Sequence, residues 1–177
     1  MPGKLKNSLY FNEWLGYAMK RVTHNVFSFA TKLWILRMLL LGDIACATLV
    51  SVSISIIVNW VIDSLAGHKG RRRTPYTHSL TGAFIITLLF TIATHFTLQL
   101  LGIRNPAHIT LVTAVLVLLT SLTHLLLDSF TTDGVELLWP FKRGWISLSS
   151  RRYDDPSLNA LFIVLAVILV ALYIVSM

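Results

Sequence analysis

Four long apolar runs constrain this chain more than any other feature of it. Residues 44–62 (IACATLVSVSISIIVNWVI), 79–101 (SLTGAFIITLLFTIATHFTLQLL), 107–127 (AHITLVTAVLVLLTSLTHLLL) and 157–175 (SLNALFIVLAVILVALYIV) each approach the roughly 20 residues that carry a helix across hydrocarbon. Lipid offers the backbone no hydrogen bonds, so such runs cross as helices that satisfy their own amides. The expected fold is therefore all-α: a polytopic helical membrane protein. A mean hydropathy of +0.70, with 55% hydrophobic and 13% charged residues, agrees. A fifth, weaker crossing is expected over residues 24–41, where Lys32 and Arg37 must snorkel or turn into the bundle.

At 177 residues, about five crossings leave little chain for a second folded module, so residues 24–177 form one expected domain. Before it, residues 1–23 set Phe11, Trp14, Leu15, Ala18 and Val22 at helical spacing. That pattern fits an interfacial helix as well as a frayed leader. Asn12 and Glu13 interrupt the segment, and no small-residue cleavage site follows an apolar core, so it does not read as a signal peptide. Cys46 is the single cysteine, which excludes both an internal disulfide and a thiolate-rich zinc site.

The formal charge of +7 has a membrane explanation, and nucleic acid is not an expected partner. Lys69, Arg71, Arg72 and Arg73 lie in the connection 63–78, and Lys142, Arg143, Arg151 and Arg152 in the connection 128–156. The turn near Gly102 carries only Arg104. The positive-inside rule places both basic connections in the cytoplasm and that turn outside. If residues 24–41 also cross, the N-terminus with Lys4, Lys6, Lys20 and Arg21 falls inside and the C-terminus outside.

Under that topology the ionisable residues sort by depth. His24 starts the first helix at the inner face, Asp63 ends the second, His78 starts the third, and His124 with Asp128 ends the fourth. His68 follows in the linker. Spacing of four puts His124 and Asp128 on one helix face, suited to one ion or to neighbouring ions. Asn59 and Asp63 repeat that spacing, offering one ligand and one amide to hold it. Any one of these residues alone reads equally well as a cap or as an arginine's partner. Their gathering at one depth points to a metal site. His95 lies about 25 Å along its helix from His78, and His108 starts its helix at the opposite face, so both are assigned to packing or interfacial roles. Ser51, Ser53 and Ser55 are expected to bond backbone and pack between helices.

The stretches THNVFSF (23–29), NWVIDSLAGH (59–68), RRTPYTHSL (72–80) and HLLLDSFTTDGVELLWPF (124–141) resemble the YdjM-like family of membrane-bound, predicted metal-dependent hydrolases. The resemblance implies a small helical membrane protein whose His and Asp residues bind metal for hydrolysis. It carries over to His78, His124 and Asp128 and, more weakly, to His24, Asp63 and His68. One departure stands out: relatives read H-R-G-x-T-H-S where this chain has Arg73 through Ser79, so Arg73 replaces a potential ligand.

The expected activity is metal-dependent hydrolysis at the cytoplasmic membrane surface, on a phosphoester of a lipid or lipid-linked compound. Histidine and carboxylate without thiolate suit zinc first and manganese second. Asp133, in the turn after the ligand helix, is a candidate general base or a plain Asp-Gly turn residue. Arg71, Arg72 and Arg73 are candidates for gripping phosphate and equally for fixing topology. Membrane lipids are the expected partners. The competing expectation is a non-enzymatic protein, either a metal carrier or a scaffold stapled by its ion.

Overall fold

The computed structural model describes residues 21–37, 44–65, 68–69 and 72–176. Among them run five helices: α1 over 21–37, α2 Ile44–Leu65, α3 Leu80–Leu100, α4 Ala107–Ser129 and α5 Pro156–Val175. The linker after α2 adds a short antiparallel pairing of β1 (His68–Lys69) with β2 (Arg72–Arg73). Helices α2 to α5 are long and apolar enough to cross a membrane. Each lies within a few residues of its expected apolar run, and α2 continues past Asp63, placing that carboxylate in its last turn.

α1 is already helical at residue 21, ahead of the expected start at His24, while residues 1–20 and 38–43 lie outside the described residues. It runs alongside α5 for the whole of its described length. Thr23 Oγ1 donates to Asn159 at one end, Trp34 Nε1 to the Leu169 carbonyl midway, and Arg37 Nη2 to the Ser176 carbonyl at the other. α1 thus traverses the same thickness as α5. Its two cations take the two expected solutions: Lys32 turns inward and donates to the Ser51 carbonyl, and Arg37 reaches the end of α5. Ser51 and Ser55 bond backbone carbonyls as expected, whereas Ser53 is exposed.

α4 is the central helix, with 44% of its span buried inside the protein against 11% for α3. Leu127 packs with Phe27, Ala30, Phe162 and Ala166 of α1 and α5. Leu116 and Val112 meet Leu36 and Ala47. Val117 meets Val58, Ile62 and Ile86 of α2 and α3. The opposite faces of the outer helices expose Leu88, Leu89, Ile92 and Phe96 of α3 and Val164, Val167 and Ile168 of α5, the side chains that face lipid.

Local chemistry fixes the ends that matter. Ser79 caps α3 by accepting from Gly82 N, and Asp155 caps α5 by accepting from Leu158 N ahead of Pro156. Gly82 also lets the 74–79 loop lie on the first turn of α3, because a Cβ there would come 2.3 Å from the Tyr76 carbonyl oxygen. After α4, the segment to Asp155 folds back over the helix ends, with Leu80 N donating to Leu137 O, Leu148 N to Ser129 O, and Val135 bridged to Ile146. Gly134, at φ +59, makes that turn. The helices alternate up and down, so the start of α1, the end of α2, the start of α3, the end of α4 and the start of α5 share one end of the bundle.

Candidate metal centre

Five of the six expected metal-ligating residues meet at that end. α1 supplies His24, α2 Asp63, the loop before α3 His78, and α4 both His124 and Asp128. His24, His78, His124 and Asp128 are no more than 2% exposed, and the Asp63 side chain is 10% exposed. Two groups have ligand atoms within 4.8 Å of one another: His24, His124 and Asp128, and Asp63, His78 and His124. The side chain of His68 lies outside the described residues.

The distances suit a metal site as well as an ion-pair cluster. Asp128 Oδ2 lies 3.2 Å from His78 Nε2 and 3.3 Å from His124 Nε2, and Asp63 Oδ1 lies 3.6 Å from His124 Nε2 and 3.9 Å from His78 Nε2. A charge-assisted hydrogen bond closes to about 2.7–2.9 Å. Donor atoms sharing one tetrahedral ion of zinc's size stand roughly 3.4 Å apart. The histidine–carboxylate spacings bracket the second value. One ion pair matches the first: Arg73 Nη2 is 2.8 Å from Asp128 Oδ1.

The outer nitrogens of the rings are held. Asn59 Nδ2 donates to Asn25 Oδ1, which turns Asn59 Oδ1 toward His124 Nδ1 at 3.0 Å. An amide oxygen only accepts, so neutral His124 carries its proton on Nδ1 and directs the Nε2 lone pair at the carboxylates. Thr77 Oγ1 sits 3.0 Å from His78 Nδ1 and can hold that ring the same way. Burial lowers the His78 imidazole from its ordinary pKa, with Asp128 opposing the shift. Asn59 therefore orients His124, not Asp63 as its spacing suggested. His24 stacks on His124 with ring centroids 4.1 Å apart and places Nε2 3.2 Å from Asp128 Oδ1.

Arg73 is turned inward to Asp128 and not outward to a phosphate. Its Nη1 donates to Thr131 Oγ1 and to the carbonyls of Asp128 and Gly134, which locks the guanidinium under the 131–134 turn. Sequence reasoning grouped it with Arg71 and Arg72; Arg71 and the Arg72 side chain lie outside the described residues. Asp133 is half-buried in the same turn and belongs to neither ligand group. His95 bonds Gln99 and Thr110 at the far end of α3, and His108 is exposed at the start of α4, so both controls fall outside the centre. Thr23, Asn25, Thr77, Thr131 and Asn159 were not singled out from sequence. The adjacency of Thr23 to His24 and of Thr77 to His78 was the available signal.

A cavity of about 20 Å³ adjoins His24 and Asp128, bounded further by Thr131, Tyr153, Asn159 and Phe162. That is room for one water beside the carboxylate. With two overlapping groups of three nitrogen and oxygen donors and the imidazoles oriented from behind, the residues fit a divalent ion. No curated protein and no solved structure matches the chain. The family model described as YdjM inner membrane protein matches residues 14–177, and the chain belongs to that family.

Proposed function

We propose that this protein is a membrane-embedded, metal-dependent hydrolase whose His/Asp centre faces the cytoplasm and acts on a phosphoester of a lipid or lipid-linked compound. The observation that carries the reading is that His78 Nε2 and His124 Nε2 each lie 3.2–3.9 Å from Asp63 Oδ1 and Asp128 Oδ2, with His124 Nδ1 fixed by Asn59. These residues would hold the ion, zinc by preference and manganese as the alternative. A bound divalent ion supplies Lewis-acid polarisation of the phosphoryl oxygen and acidifies a water.

The chain's own groups do the rest. Asp128 and Asp63 supply negative charge, and Asn59 and Thr77 keep the rings in register. The cavity beside Asp128 admits a water. Asp133, in the turn that Arg73 anchors, would take the proton released by that water. The segment above the centre favours a lipid substrate, because Phe141 is 92% exposed beside exposed Lys142, Arg143 and Trp145. Aromatic and basic side chains so mixed sit at the headgroup level and attract anionic phosphates.

Burial of the centre favours a second reading, in which the ion only staples the helices together. A panel of lipid phosphoesters assayed in nanodiscs with zinc and with manganese separates the two. Turnover is expected, abolished by His124→Ala and lowered about 10²-fold by Asp133→Asn with metal retained. Metal retained without turnover of any phosphoester contradicts the hydrolase and leaves the staple.

A further inference from the structure

The two ligand groups share His124, and the two faces of Asp128 determine how many ions they accept. Oδ2 faces His78 and His124 at 3.2 and 3.3 Å. Oδ1 faces His24 at 3.2 Å and the Arg73 guanidinium at 2.8 Å. His124 has one ring nitrogen to offer, since Nδ1 is engaged with Asn59. The Arg73 guanidinium is 1% exposed and fixed by Thr131 and two carbonyls.

We propose that the centre is mononuclear: one divalent ion takes Asp63, His78 and His124, with Oδ2 of Asp128 set against the same two rings, and Arg73 is the built-in cation that closes the other face of Asp128 to a second ion. The inference rests on the metal reading above. A second ion near His24 would share Oδ1 with a guanidinium, placing two cations on one carboxylate oxygen in a buried site. His24 is accordingly a positioning residue. It is stacked on His124 and set against Oδ1, and it is not a ligand.

Cobalt titration of the chelator-stripped full chain in detergent tests this, read by visible ligand-field absorption and elemental analysis. Saturation is expected at one equivalent per chain. His24→Ala should keep that equivalent, and Asp63→Ala should weaken it by tenfold or more. Arg73→His should admit a second equivalent, whereas Arg73→Lys, which retains the cation, should stay at one. Two equivalents in the unmodified protein overturn the proposal, as does loss of cobalt in His24→Ala with retention in Asp63→Ala. An Arg73→His protein that folds yet stops at one equivalent overturns the role of Arg73. No cobalt in the unmodified protein is a different failure, that of the metal centre itself.

Discussion

His124 illustrates how a ring is aimed by the residue behind it. Its Nε2 faces two carboxylates because Nδ1 is held by Asn59, whose amide is turned by Asn25. Replacing the amide with a similar apolar volume, Asn59→Leu, should lower metal affinity about 10–100-fold while leaving helix content unchanged. A competition titration against a chelator of known affinity measures this, and unchanged affinity would show that the amide sets nothing. The cluster itself was legible in the sequence because an ionisable residue near hydrocarbon is costly, and five of them fell at one depth. Arg73 was not legible in this role. In a run of basic residues it reads as a surface cation, and only the folding of the 131–134 turn over it makes it the partner of Asp128.

At the scale of elements, the centre depends on one close approach of backbone to backbone. His78 reaches Asp128 because the 74–79 loop lies on the first turn of α3, against Gly82. Gly82→Ala places a Cβ 2.3 Å from the Tyr76 carbonyl, so the loop must move and His78 with it. The expected result is loss of bound metal and a drop of about 1–3 kcal/mol in unfolding free energy, followed by thermal denaturation. Gly144→Ala, with nothing within 4 Å of the new Cβ, serves as the unaffected control. The apolar runs announced the helices, but their ends were less visible: hydropathy stops at Ile62, whereas the hydrogen-bonded ladder of α2 runs on to Leu65. α1 was the hardest to read, because Lys32 and Arg37 interrupt its pattern and find their acceptors only on α2 and at the end of α5.

For the whole molecule, alternation of the helices gathers the basic connections and the metal centre at one end of the bundle. The positive-inside rule predicts that this end is cytoplasmic. In a Cys46→Ala background, a cysteine at Ser149 should be shielded from an impermeant thiol reagent in intact cells, and one at Asn105 should react. The opposite pattern inverts the topology and carries the centre to the other face. The central claim, that these histidines and carboxylates form a metal centre, is tested most directly by elemental analysis of the purified protein beside three variants. A divalent ion should accompany the unmodified chain and His95→Ala, and be lost from His78→Ala and His124→Ala. Absence of any ion from the unmodified chain, or equal loss from His95→Ala, would contradict the account.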